Sequence, residues 1–437
     1  MIKIVNDKKN NMITMFNTNN GSYIRKGDSF MGSYPHLIDI GIMGNCTHGK
    51  TGLCMKAGIR CYQNGLKSSA PNMSLENYKK IIDESEKRTF SVALGGCGDP
   101  DMHENFEEIL AYSKSKNIIP SFTTSGLGMT PEKAAICKAY CGAVAVSMYS
   151  RIIDVPFIAI RERKSDEEKI PYKSLNDIPI VFTMNNMNDI CYIDEPYYVI
   201  NGKTFEWEYL HHIVESDLNG KYELYKVYEE KQEPNYTFKA INMLLKAGVK
   251  TNIHFVVSNT TINEAILRLK YNGFPSGINA VIFLLHKPVG LGEIDDVLDY
   301  NDPRVREFFQ LATSFNLPYK VGFDSCSIPG IINYETTVDP ISLDTCEGGR
   351  FSMYISADMK ALPCSFDNQK QKYAVQLSEN ISIEDAWNSN QFDLFRESLK
   401  SSCPTCPQRK DCMGGCPLEK DIILCGRKEK DLFISKE

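Results

Sequence analysis

From residue 37 to residue 314 the chain alternates short apolar runs with longer amphipathic ones. The run from Leu37 to Met43 reads as a strand, and 74–87 as a helix with Ser74 in the capping position. Residues 91–94 read as a strand ending in Gly95-Gly-Cys-Gly-Asp-Pro100. A helix over 104–116 follows, then a strand over 118–124 that ends at Ser125-Gly126. Thr130 caps the next helix, with Pro131 at its first position, and 143–147 is again a strand. Farther on come helix 237–247, strand 251–257, helix 262–272, strand 280–285 and helix 303–314. Six βα units of this kind predict a parallel sheet, either open or curved into a barrel. In such barrels the chemistry gathers at the C-terminal ends of the strands.

The rhythm breaks between about 152 and 234. Asn201-Gly202 and Asn219-Gly220 are hairpin turns flanked by Tyr-rich alternating runs, which predicts an antiparallel insertion over 155–234. It is either a solvated cover or a flap that recognises substrate through its aromatic residues. The first 35 residues are polar and turn-rich, and Met12–Phe16 with Ser22–Arg25 form an expected hairpin.

At 437 residues the chain exceeds one ordinary core. With 42% hydrophobic and 24% charged residues it has a globular composition. A net charge of −6 gives no reason to expect a nucleic-acid partner. No stretch approaches the roughly 18 apolar residues of a membrane span, and the N-terminus lacks the apolar core of a signal peptide. The expectation is therefore a cytoplasmic protein with no membrane partner. Fifteen cysteines in such a chain point to metal binding rather than disulfides.

Three of them, Cys46, Cys54 and Cys61, lie in one Gly-rich loop directly after the first strand. Glycines at 44, 49, 52, 58 and 65 keep this loop from forming a regular helix. Three thiols on such a loop suit a metal cluster with one position left open. The same stretch matches the phosphate-loop pattern from Gly44 to Lys50-Thr51, although Gly52 and Gly58 make a poor helix where that pattern needs one. Buried or zinc-bound thiols are a third reading.

Cysteines return beyond 340 as Cys346, Cys364, Cys403, Cys406, Cys412, Cys416 and Cys425. The four from 403 to 416 would make one zinc ribbon, but seven thiols suit two iron–sulfur clusters better, with Cys326 available as an eighth. Cys97, Cys137, Cys141 and Cys191 read as ordinary small apolar residues.

The first array with Tyr62 beside it, Gly95–Asp99, the βα repeats and the tail pattern C-x2-C-x5-C-x3-C…C together resemble radical SAM enzymes with a C-terminal SPASM domain. The resemblance covers about 36–154 and 235–430, and includes Ile383-Glu-Asp-Ala-Trp387 before the last cysteines. It implies an α/β fold: a partial (β/α)6 TIM-type barrel over 36–320, interrupted by the β insertion, and a Cys-rich SPASM domain over 321–437. It implies a radical 4Fe–4S cluster on Cys46, Cys54 and Cys61, with S-adenosylmethionine on its open iron. Tyr62, Gly95, Gly96, Asp99, Ser125 and Ser147 are the implied cofactor contacts. Cys403, Cys406, Cys412 and Cys425 would hold an outer auxiliary 4Fe–4S cluster, and Cys346, Cys364 and Cys416 an inner one. Cys326 is either its fourth ligand or a catalytic thiol that returns hydrogen to a substrate radical.

This sequence departs from the family pattern in four places. The first array is C-x7-C-x6-C rather than C-x3-C-x2-C, and the aromatic Tyr62 follows the third cysteine instead of preceding it. Met359 stands where a glycine is usual, and Ser365, not an Asp base, follows Cys364, which disfavours sulfatase maturation. The implied activity is radical modification of a peptide or protein, with electrons from an external donor such as flavodoxin or ferredoxin. Radical dehydrogenation of a small molecule is the alternative, and a P-loop nucleotide-binding protein with a zinc-ribbon tail is the remote one.

Overall fold

The computed structural model describes residues 2–19, 22–27, 29–47, 60–65, 69–148, 157–162, 190–194, 197–200, 203–206, 222–227, 236–270, 274–314, 317–334, 336–339, 343–400, 403 and 405–426. Cys54, Lys50, Thr51 and the two Asn-Gly turns of the insertion lie outside these residues.

Six strands carry the expected rhythm: β4 (Leu37–Met43), β5 (Ser91–Gly96), β6 (Ile119–Thr124), β7 (Val144–Ser147), β13 (Thr251–Val257) and β14 (Ala280–Leu285). Each precedes a helix: α1 (Leu75–Ser85), α2 (Phe106–Ser115), α3 (Pro131–Tyr140), α4 (Tyr236–Lys246), α5 (Ile262–Lys270) and α6 (Pro303–Ala312). The strands pair in parallel, and β15 (Lys320–Phe323) adds a seventh beside β14. The result is an open barrel-like sheet. Its outward side chains are apolar: Ile38, Ile40 and Ile42 of β4 are fully buried on the helix side. Alternation sends Asp39 to the opposite, lumen side of the same strand. The helix starts follow local chemistry. Ser74 accepts the Asn77 amide, Thr130 accepts the Lys133 amide, and Pro131 occupies the first turn of α3.

The tail extends this sheet rather than folding apart from it. Strand β16 (Ser352–Ile355) pairs in parallel with β4, Met353 opposite Ile38, and β17 (Lys360–Leu362) and β18 (Val375–Gln376) follow antiparallel. The sheet thus holds ten strands, from β15 at one edge to β18 at the other. Met359, in the β16–β17 turn, has φ +62°, the left-handed conformation that a glycine adopts freely. Here a methionine takes it and buries its side chain in the core.

Among the remaining tail helices are α7 (Ile328–Asn333), α8 (Ile383–Trp387), α9 (Asn390–Lys400) and α10 (Arg409–Cys412). Ser382 and Asp385 close a reciprocal capping box on α8. Its last residue, Trp387, is fully buried and donates its indole N–H to the Gly32 carbonyl at 3.0 Å.

The expected hairpin forms between β2 (Met12–Asn17) and β3 (Tyr23–Lys26), and β1 (Ile2–Asp7) adds an unexpected third strand. Phe16 anchors this small sheet on Phe90, with ring centroids 4.9 Å apart. Between β7 and α4 the described residues form β8 (Phe157–Glu162), β9 (Ile190–Asp194), β10 (Tyr197–Ile200), β11 (Lys203–Glu206) and β12 (Tyr222–Val227). They make a five-stranded antiparallel sheet in the order β11-β10-β9-β8-β12. No helix among the described residues is long and apolar enough to cross a membrane.

Candidate active site

The C-terminal ends of β4 and β5 build one side of the site. Beyond β4 the chain is pinned at its start: Asn72 Oδ1 accepts the Gly44 amide and the Asn45 side-chain amide, both at 3.1 Å. The loop then returns so that Cys46 and Cys61 meet across Gly65. A Cβ at Gly65 would lie 3.5 Å from Cys46 Sγ and 3.7 Å from Cys61 Sγ. The tightest neighbour of that Cβ would be the Cys46 Cβ at 3.1 Å, so the glycine leaves room for the two thiols to lie side by side. The far end of the loop is held by the segment after β14. Leu291 donates its amide to the Cys61 carbonyl at 2.9 Å, and Gly290, at φ +64°, approaches the Tyr62 carbonyl too closely for a Cβ.

At the end of β5, Gly96 takes φ +110° against the backbone of Met43, and the Cys97 amide donates to the Met43 carbonyl at 2.7 Å. Cys97 also donates its thiol to the Gln63 carbonyl at 3.1 Å, so it braces the loop and is more than a packing residue. Asp99 and Ser125 are bonded directly. The Ser125 amide donates to Asp99 Oδ1 at 3.0 Å, and the Ser125 hydroxyl donates to Asp99 Oδ2. Ser147 closes β7, in register with His254 of β13. Asp101, fully buried beneath this pair, accepts the Thr124 hydroxyl at 2.7 Å while its other carboxylate oxygen has no partner. Burial, reinforced by the charge of Asp99, raises its pKa to about 6.

The lumen below is polar. Burial raises the Asp39 carboxyl to about 7, and the Gly95 backbone comes within 3.9 Å of it at the position of a Cβ. The phenols of Tyr62 and Tyr354 lie in its field, and burial pushes that of Tyr354 up. His254 shares a contact with the Thr123 hydroxyl at 3.3 Å, and burial lowers its pKa to about 4. Sequence reasoning missed Asp39 and His254. The available signal was a charged residue inside an apolar strand run, where charges are rare without a task.

The tail thiols separate into two sets. Cys326 hydrogen-bonds Cys416, and with burial this raises its pKa well above the ordinary value. Cys346 is pushed up to about 12 by burial and by Cys326, and Cys364 is pushed up by burial, Cys346 and Cys326. The second set is Cys403, Cys406, Cys412 and Cys425, which line one cavity under α10 and the end of α7. Burial and the other three thiols raise Cys412 to about 11. The described cysteines form no disulfide. Thiols gathered in fours are the donor type that a metal–sulfur cluster takes, so both sets fit one by their chemistry.

One further group went unread in the sequence. Lys287, two residues past β14, has its side chain 3% exposed and pairs with Asp324 beyond β15. It lies in the field of Cys326 and Cys416. Burial opposes its charge, but Asp324 and these thiols outweigh burial and raise its pKa.

Residues 346–413 match the family model for SPASM, an iron–sulfur cluster-binding domain. The match takes in Cys346, Cys364, Cys403, Cys406 and Cys412. Among solved structures the chain superposes on SuiB of Streptococcus suis bound to S-adenosylmethionine, with TM-score 0.58, 12% identity, and 95% of this chain and 94% of that chain covered. The SuiB complex with precursor peptide SuiA also gives TM-score 0.58, at 12% identity, over 98% and 100% of the two chains. Native anSMEcpe with bound AdoMet gives 0.50 at 15% identity over 91% and 92%. The chain therefore has the fold of these proteins, a partial parallel barrel with a C-terminal SPASM region, as the sequence resemblance implied.

Among curated relatives it is similar to mycofactocin maturase MftC of Mycolicibacterium smegmatis, 34% identical over 83 residues, 19% of this chain and 21% of that one. MftC of Mycobacterium ulcerans is 30% identical over 97 residues, 22% and 26% of the two chains. These matches span only about a fifth to a quarter of the curated relatives' length.

Proposed function

We propose that this chain is a radical SAM enzyme of the cytoplasm that modifies a peptide or protein. The observation that carries the reading is the gathering of three thiol groups around one end of the parallel sheet. Cys46 meets Cys61 at the end of β4, Cys326 gathers with Cys346, Cys364 and Cys416 beside it, and a further quartet lies beyond. Cys46, Cys54 and Cys61 would hold the radical cluster, and the two quartets the auxiliary clusters. The place of Cys326 among three other thiols favours a ligand over a hydrogen donor. When bound, the first 4Fe–4S cluster and S-adenosylmethionine supply a 5′-deoxyadenosyl radical that takes hydrogen from an unactivated carbon.

The chain's own residues do the rest. The Asp99 carboxylate, already oriented by the amide and hydroxyl of Ser125, is set to accept hydrogen bonds from the cofactor's ammonium group. Gly95, Gly96, Tyr62 and Ser147 would complete the contacts to the cofactor. The peptide would enter the polar lumen at Asp39 and His254, with electrons from flavodoxin or ferredoxin.

Peptide chemistry is favoured by the maturase relatives and by the fold shared with a structure bound to a precursor peptide. Ser365 beside Cys364 leaves no acid at the position that serves as base in sulfatase maturation. The test is anaerobic reconstitution followed by dithionite, S-adenosylmethionine and candidate peptide substrates. Formation of 5′-deoxyadenosine with a mass change in the peptide is expected. Fully loaded protein that forms neither would overturn the reading.

A further inference from the structure

We propose that Lys287 is a positioning residue that sets the reduction potential of the inner auxiliary cluster and, with Phe366 and Tyr62, joins that cluster to the first cysteine loop. The proposal rests on the reading that Cys326, Cys346, Cys364 and Cys416 hold a cluster.

Residues 286–292 pack on the first cysteine loop and reach the field of the inner thiols. At one end Leu291 and Gly290 pack on the backbone of Cys61 and Tyr62. At the other, the Lys287 ammonium lies in the field of Cys326, Cys416 and Cys364. Between them runs a line of rings: Tyr62 sits 4.9 Å from Phe366, and the Lys287 ammonium 4.6 Å from the same Phe366 ring. Phe366 itself follows Cys364 by two residues. Lys287 therefore contacts the wall between the two sites, and no other described ammonium does so in the same way.

Its hydrogen bonds fix it there. The ammonium donates to Asp324 and to the Leu285 carbonyl at 3.0 Å. Asp324 in turn accepts the Leu285 amide at 3.2 Å and the Ser327 hydroxyl at 2.7 Å. A buried ion pair alone is weak justification for itself, because desolvating both charges offsets most of their attraction. A cluster ligated by four thiolates adds negative charge, and that charge grows by one on reduction. A fixed cation beside it stabilises the reduced form and raises the potential. Arg350, a cation in the field of Cys346, donates to the carbonyls of Phe30 and Cys346 and to Thr345, and its charge is common to every variant compared below.

The test is an EPR-monitored redox titration of the anaerobically reconstituted full chain. Lys287→Met should move one auxiliary potential to a more negative value, and Lys287→Arg should restore it. Asp324→Asn removes the opposing charge and should move the same potential the other way. Opposite signs at equal iron content support the proposal; no shift, or shifts of the same sign, overturn it. If Lys287→Met loses iron, Asp324→Asn carries the sign alone, and an unchanged or lowered potential there overturns it. Failure of the cluster reading is distinguishable, because the unmodified protein would then show no auxiliary signal to titrate.

Discussion

An Asp39→Asn substitution should stabilise the fold at high pH while impairing turnover. The carboxyl sits in the lumen of the sheet, where burial lifts its pKa to about 7 from 3.8. At pH 8 an ionised group so placed opposes folding by roughly 4 kcal/mol, at 1.36 kcal/mol per pH unit. Asp39 is only half-buried, which discounts part of this, and about 2–4 kcal/mol is the working magnitude. The sign follows from the raised pKa. Below 3.8 the carboxyl is neutral in both folded and unfolded chains and opposes nothing. The opposition grows as pH rises and is complete above about 7. The amide cannot ionise and removes it, so the variant and the unmodified protein should melt alike near pH 4 and diverge toward pH 8. There the variant should be higher by about 3 °C or more. Anaerobic scanning calorimetry at several pH values measures this, with peptide turnover followed in parallel. Gain of stability with loss of turnover is the mark of a group held at a functional cost. A melting difference that is independent of pH would refute the desolvation argument.

Cys46→Ala with Cys61→Ala should abolish 5′-deoxyadenosine formation and remove about a third of the iron, leaving both tail clusters in place. Cleavage at the normal rate would remove these thiols from the site. Gly290→Ala forces a Cβ onto the Tyr62 carbonyl at φ +64°. It should cost about 1–3 kcal/mol and lower iron loading at the first site alone. An iron count equal to that of the unmodified protein would show that the 286–292 segment does not hold the first loop.

Much of this architecture is legible in the sequence because it rests on local rules. Apolar strand runs, Ser74 and Thr130 as caps, and Pro131 at a helix start each act within a few residues, and they locate the βα units. The tail cysteines are legible through spacing alone. What escapes depends on pairing across the chain. Strand β1 alternates Ile2, Lys3, Ile4 and Val5 but leaves Ile2 and Ile4 largely exposed, so its apolar pattern points at no core. The parallel pairing of β16 with β4 joins residues 315 positions apart, which no local signal announces. The same is true of Lys287 and Asp324, each unremarkable in sequence and buried together only when β14 and β15 lie side by side. Met359 is the reverse case: its departure from the usual glycine flags a left-handed residue that the fold indeed contains.

If three thiol groups hold three clusters, iron and acid-labile sulfide counts with Mössbauer spectra of the anaerobically reconstituted protein should give about twelve irons and about twelve sulfides per chain, nearly all in four-iron centres. Four or fewer irons, with zinc bound by Cys403, Cys406, Cys412 and Cys416, would contradict it.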